Sequence, residues 1–191
     1  GLMATKNDCY DPVAALSVAE AEQFHAVQAQ QLASTGLDFL LAQTMPAVTE
    51  AEGMARAMIA SGLPAVISFC INRHGQVLDG TPLDEAIDLL DDRLEGGPLA
   101  YAVNCSHPDF IKAEQVNPRA LSRLIGIWAN ASAREHSELE LTEKSVADDI
   151  GQWADAMVRL HQLHGVKILG GCCGTTDQHL RAICERLLPS A

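Results

Sequence analysis

Two adjacent cysteines, Cys172 and Cys173, stand inside the run "GGCCG" at residues 170–174. Neighbouring residues make poor disulfide partners. Their Cα atoms lie about 3.8 Å apart, whereas a relaxed disulfide wants roughly 4.4–6.8 Å. The pair therefore reads as small buried residues, reactive thiols or ligands for a metal. A third cysteine, Cys105, lies in "AVNCSHP". Three thiolates suit Zn2+ and leave a fourth coordination position open, as a catalytic rather than a structural ion requires. With three thiolates such a site carries a net charge of about −1, so it is a weak Lewis acid toward water but holds a fourth sulfur and keeps it deprotonated. That chemistry is thiol activation for attack on carbon, rather than hydrolysis.

Position favours the metal over the plain alternative, that buried cysteine is a common small hydrophobe. Five continuous apolar segments read as buried parallel strands: "LDFLLAQ", "PAVISFCI", "LAYAVNC", "LIGIWAN" and "VKILGG". Cys105 ends the third and the Cys172–Cys173 pair follows the fifth. Parallel α/β folds gather strand carboxyl ends at one face, so the three thiols can converge. Adjacent side chains of a strand point to opposite faces, so the chain must bend for both members of the pair to reach one ion. The surrounding glycines permit that bend. Cys9, Cys70 and Cys184 lack such context; Cys70 is expected to pack near a strand end and Cys184 in the core on the last helix. His107 is a poor ligand candidate because Cys-Ser-His is not a usual ligand spacing. His161, His164 and His179 are expected on solvated helix surfaces. The "GTT" after the cysteines opens a helix, with an ordinary threonine cap favoured over an anion site.

The elements between the strands read as helices. Ser17 with Glu20 and Thr49 with Glu52 fit capping boxes. Thr81-Pro82 places proline at a first helical position, and Gly36 and Gly62 mark helix ends. A long helix is expected from about Thr142 to Gly165 and a final one from about Thr176 to Leu188, with a polar loop over residues 130–144. Strand–helix alternation predicts a parallel sheet, doubly wound or closed into a barrel.

Composition bounds the rest. The chain has 191 residues, 48% of them hydrophobic and 4% aromatic, enough for a sizeable core. A formal net charge of −12 argues against nucleic acid or an anionic membrane surface as partner. There is no apolar run of about 18 residues, so no membrane span is expected. The opening "GLMATKNDCY" has neither the basic nor the apolar region of a signal peptide. Six irregularly spaced cysteines suggest free thiols in a reducing, cytoplasmic compartment.

"VNCSHP" followed much later by "GGCCGTT" resembles the homocysteine S-methyltransferase family, which includes betaine- and S-methylmethionine-using enzymes. "LDFLLAQTMPAVTEAEGMARA" and "PAVISFCINRHGQVLDGTPL" resemble successive strand–helix units of that family, and the likeness covers nearly the whole chain. The resemblance implies a zinc-dependent parallel (β/α)8 TIM barrel, with Zn2+ held by Cys105, Cys172 and Cys173. Homocysteine would bind through sulfur as fourth ligand, attack the methyl group of a small donor and yield methionine. Gln43, Ser68 and Asn104 would contact the substrate. Two departures stand out. Five strands are read where the family barrel has eight, and the opening resembles the stretch just after the family's third strand. Residues 1–191 are therefore expected to be the C-terminal part of a single homocysteine-binding barrel domain, without its N-terminal strands. Gln43 also stands where family members often carry the glutamate that holds the homocysteine amino group, and a charge-assisted contact is roughly twice as strong as a neutral one. Alternatives are a non-catalytic zinc- or thiol-binding barrel fragment and a methyltransferase with a different thiol substrate. A redox dithiol ranks last, since the two-residue spacer of such motifs is missing. A homo-oligomer is compatible with this reading.

Overall fold

A computed structural model of the chain describes residues 1–135, 138 and 147–188. It contains strands β1 (Leu2–Ala4), β2 (Leu40–Met45), β3 (Ala65–Phe69), β4 (Ala100–Ser106), β5 (Leu124–Ala129) and β6 (Ile168–Gly171). Helices α1 (Val18–Ala33), α2 (Val48–Ala60), α3 (Leu83–Arg93), α4 (Pro118–Arg123), α5 (Ile150–His164) and α6 (Asp177–Leu187) lie between and after them. All neighbouring strands pair in parallel and follow one another in chain order from β1 to β6. A doubly wound sheet reverses its order at a switch point, whereas a barrel wall runs sequentially. The sheet is thus of the barrel type.

Six strands are present among the described residues, not the five read from the sequence. The extra one is β1, whose pairs are Leu2 with Leu41, Met3 with Ala42 and Ala4 with Gln43. Three residues are too few to show a period, and only Met3 is buried.

The strand residues sort by alternation. Leu40, Ala42, Ile67, Tyr101 and Ile127 are buried in the main core, packed with Met54 and Met58 of α2, Ile87 of α3 and Met157 of α5. In the opposite set, Leu41 aligns with Val66, Val66 with Ala100, and Asn104 with Trp128. At one end of that face Phe39, Leu41, Val66, Leu99, Ile125, Trp128 and Ile168 line an apolar groove.

Helix starts follow local chemistry, with exceptions. The capping box of α1 forms: the Ser17 N–H donates to Glu20 Oε2 at 3.1 Å and the Glu20 N–H to Ser17 Oγ at 3.5 Å. The expected box at Thr49 and Glu52 does not. α2 starts two residues earlier than that box requires, at Val48, whose N–H donates to Asp79 Oδ2 at 2.7 Å. Thr49 instead donates its hydroxyl to the Leu16 carbonyl at 3.1 Å, and Glu52 pairs with Arg56 and Arg93. Pro82 is the N-cap of α3 rather than its first residue. α5 is capped by Asp149 and ends at Gly165 in the left-handed region. Residues 142–146 of the expected long helix, and much of the polar loop, lie outside the described residues, while residues 147–149 are not helical. Thr176 caps α6 as expected. That helix corrects two expectations: His179 is buried, and Cys184 is exposed rather than in the core. His179 and Ile183 stand four residues apart on the inward stripe, and Cys184 falls just off it.

Candidate metal and active site

Cys105 near the end of β4 and Cys172–Cys173 just past β6 converge. The Cys105 and Cys172 sulfurs are 2.9 Å apart, those of Cys172 and Cys173 3.9 Å, and all three lie within 4.8 Å of one another. Sulfurs bound tetrahedrally at about 2.3 Å to one Zn2+ stand about 3.8 Å apart, so the cluster has the scale of a single-ion site.

Irregular backbone makes this possible. Cys105 has φ of 52° and Thr44 has φ of 58°, left-handed values for residues that are not glycine. Each coincides with a shift of strand register, between Ala42 and Met45 and between Asn104 and Ser106. Such bulges re-aim side chains, and each strained residue costs about 1–3 kcal/mol that the surrounding packing must offset. The bend at the cysteine pair comes after it: Gly174 has φ of 76°, and Thr175 closes a turn by donating its N–H and its hydroxyl to the Cys172 carbonyl at 3.2 and 2.7 Å. Gly170 has another duty, since a Cβ there would run into the indole of Trp128, its in-register partner.

The predicted pocket residues share this neighbourhood. Asn104 is buried and its Nδ2 donates to Thr44 Oγ1 at 2.6 Å and to Cys105 Sγ at 3.2 Å. Its Oδ1 accepts from Ser68 Oγ at 2.6 Å and from the Thr44 N–H at 2.8 Å. Gln43, half-buried on β2, is one strand position from Thr44 and two from Leu41, on the face shared with Val66. His107 is buried and its ring nitrogens lie 3.7 Å from the carboxylates of Asp109 and Asp148; it does not join the sulfur cluster. Cys70 is buried, its sulfur 3.8 Å from Ser106 Oγ, in keeping with packing.

Asn130, Tyr10 and Thr44 had gone unread, and Cys9, set aside above, also lies nearby. Asn130, 2% exposed, bridges two of the cysteines: its Nδ2 donates to the Cys105 carbonyl at 2.9 Å and its Oδ1 accepts from the Cys173 N–H at 3.1 Å. Its own carbonyl accepts from Trp153 Nε1 at 2.8 Å. A polar residue closing the apolar run "LIGIWAN" was the available signal. Tyr10 hydrogen-bonds through its hydroxyl to Cys105 and Cys173, and Cys9 lies near enough to feel the Cys105 charge. Nothing local in "NDCYDP" marks either.

The electrostatics single out one sulfur. The Cys105 thiol is lowered to about 5, chiefly by the hydrogen bond from Cys172; burial opposes this, and Tyr10, Asn104 and Thr44 add further hydrogen bonds. Cys172 is raised, first because its S–H serves Cys105 and then by burial. Cys173 is raised by burial and by the Cys105 charge. The arrangement thus favours one thiolate, with neighbouring donors turned toward it. Three soft donors, one already inclined to be anionic, fit a thiophilic dication. The donor set could hold a metal ion.

A barrel-type parallel β/α sheet that gathers three cysteine sulfurs at its strand ends defines a class of protein with a potential three-thiolate metal site. The chain belongs to the homocysteine S-methyltransferase family, whose sequence profile matches residues 1–187. It is 26% identical over 183 residues to homocysteine S-methyltransferase 2 of Arabidopsis thaliana, covering 91% of this chain and 52% of that protein. It is 27% identical over 177 residues to selenocysteine Se-methyltransferase of Brassica oleracea var. italica, covering 87% and 48%. The chain thus spans about half the length of these relatives. The fold matches that of the metallated homocysteine methyltransferase MmuM from Escherichia coli with a TM-score of 0.64 at 24% identity, over 95% of this chain and 56% of that one.

Proposed function

We propose that the whole protein transfers a methyl group from a small donor to the thiol of homocysteine, giving methionine, with Zn2+ held by Cys105, Cys172 and Cys173. The observation that carries this reading is the convergence of the three sulfurs within 4.8 Å. The bound ion supplies the positive charge that keeps an incoming thiol deprotonated near neutral pH. The chain's own residues do the rest. Asn104 and Asn130 set the position of Cys105, from its sulfur and its carbonyl respectively. The hydroxyl of Ser68 is committed to Asn104, so these two residues shape and stiffen the pocket wall against which the substrate lies. Gln43 accepts a hydrogen bond from the substrate amino group through a neutral amide oxygen. In this reading residues 1–191 are part of one barrel domain of a cytoplasmic enzyme, and further strands cover the apolar groove and the open edges at β1 and β6.

A second reading, the same chemistry on a different thiol or a selenol, is favoured by Gln43, which lacks the charge expected opposite an amino group. The test is metal analysis of the reduced full-length protein together with methyl-transfer assays on homocysteine with several donors. About one zinc per chain and methionine formation are expected. Absence of zinc from reduced protein prepared with excess zinc, or transfer undiminished in Cys105→Ala, would overturn the zinc-dependent mechanism. Transfer to another thiol or selenol but not to homocysteine would select the second reading.

A further inference from the structure

We propose that residues 6–16 form a strap clamped beside the sulfur cluster by one buried carboxylate, Glu50, and that this clamp holds Tyr10 against Cys105 and Cys173 as a positioning residue of the thiolate site. The inference rests on reading those cysteines as a metal site.

Glu50 lies in the first turn of α2 and is 0% exposed. A buried carboxylate is unfavourable unless its oxygens are hydrogen-bonded. Here Oε1 accepts the Lys6 N–H at 3.2 Å and Oε2 accepts the Leu16 N–H at 3.1 Å. The two oxygens therefore tie both ends of a single loop to one side chain. His25, 1% exposed on α1, places Nε2 3.5 Å from Oε1 and backs the carboxylate from the other side. Thr49 adds a further tie, its hydroxyl donating to the Leu16 carbonyl at 3.1 Å.

Between these anchors the strap is internally braced. Asn7 Nδ2 donates to the Ala14 carbonyl at 2.7 Å, and the Tyr10 N–H donates to Asp8 Oδ1 at 2.9 Å. The braced segment carries Tyr10, whose hydroxyl engages Cys105 and Cys173. A phenol O–H donated to a thiolate withdraws part of its charge and so weakens its donation to a bound cation. The cation is left with more capacity for a fourth, incoming sulfur. Glu50 touches none of the reacting groups; it acts through Tyr10.

A purely structural Glu50 would support α2 and α1 without reaching the cluster, and spectroscopy separates the two roles. Full-length protein is loaded with Co2+ in place of Zn2+, and the sulfur-to-cobalt charge-transfer absorption is compared for wild type, Tyr10→Phe, Glu50→Gln and the double variant. Both single variants should shift the band in the same direction and change metal affinity by about ten-fold in chelator competition. The double variant should add nothing further. In reduced, metal-free protein, Glu50→Gln, which keeps one acceptor oxygen and turns the other position into a donor, should also speed amide hydrogen exchange at Lys6 or Leu16 by about ten-fold or more, while Tyr10→Phe leaves it unchanged. If Glu50→Gln does not fold, Glu50→Asp, which keeps the charge but is one methylene shorter, is measured with the same expectations. A wild-type spectrum in Glu50→Gln, or in Tyr10→Phe, overturns the positioning role. Unchanged exchange at both amides overturns the clamp. Wild type that takes up no Co2+ through sulfur overturns the metal reading instead, and the exchange result still decides the clamp.

Discussion

Asn130→Ala removes the side chain that ties β5 to both cysteine-bearing segments. Two hydrogen bonds disappear, at 2.9 Å to the Cys105 carbonyl and at 3.1 Å from the Cys173 N–H. Asn130 itself is 2% exposed, so water does not readily replace the lost partners. At about 1–1.5 kcal/mol for each bond, somewhat more where a buried partner is stranded, the fold should lose about 2–4 kcal/mol. A domain of ordinary stability, about 5–15 kcal/mol, survives that loss. Metal affinity should fall as well. Cys105 keeps its bond from Asn104, and the Ala131 N–H still donates to the Cys173 carbonyl at 2.9 Å, so the sulfurs loosen rather than scatter. A fall of about 10–100-fold is expected, as for other groups that orient ligands. Urea denaturation of the reduced, metal-free protein gives the first quantity and chelator competition for Zn2+ the second. Asn130→Asp divides the effect: it keeps the acceptor for Cys173 but loses the donor to Cys105 and sets a negative charge beside a thiolate. Zinc affinity within two-fold of wild type in a destabilised Asn130→Ala would refute the argument, since Asn130 would then support the strand and not the site.

Cys173 is exposed, so Cys173→Ala should cost less than about 1 kcal/mol of stability while abolishing stoichiometric zinc; thermal melts with metal analysis check both. Gln43→Glu should lower the apparent KM for homocysteine by roughly five-fold, equivalent to about 1 kcal/mol, and an unchanged or raised KM would place Gln43 away from the amino group. His179 is held neutral: burial lowers its pKa, its Nδ1 accepts from the Thr176 N–H at 3.1 Å, its Nε2 is buried with no hydrogen-bond partner among the described residues, and its ring stands at 90° to that of Trp153. The unfolded chain binds a proton there near pH 6.5 and the folded chain only at lower pH, so this contribution is intact above about pH 6.5 and is lost as pH falls toward the folded pKa. Denaturation midpoints across that range should fall less steeply in His179→Gln, which retains the helix-capping geometry; equal slopes would refute the assignment.

The sheet was largely legible in the sequence because its strands are covered on their helix side and their apolar runs are continuous. The segments read at residues 64–71, 99–105 and 124–130 contain or overlap β3, β4 and β5 nearly in full. β1 escaped because three residues become a strand only when β2 is there to pair with them. The "GGCCG" run and the cysteine of "VNC" announced a thiol site by residue type and by their place at strand ends. The bend was foreseen, but its location was not: it depends on Gly174, and the re-aiming of Cys105 depends on its own left-handed backbone at a bulge, which no side-chain pattern reveals.

What the sequence determined by itself is therefore the parallel sheet, the helix starts at Ser17 and Thr176 and the identity of the three sulfurs. All of these follow from periodicity or from neighbours a few residues apart. Tertiary structure alone decided which other groups meet the sulfurs. Asn130 reaches Cys173 across 43 positions of chain, Thr44 reaches Asn104 across 60, and Cys105 reaches Cys172 across 67. It also made Glu50, which nothing in the sequence singles out, a buried clamp on amides 44 and 34 positions away. Those meetings are set by strand register, by two bulges and by the way α1 and α2 cover the sheet. Such long-range distances are outcomes of the whole fold, and no local stretch of sequence carries them.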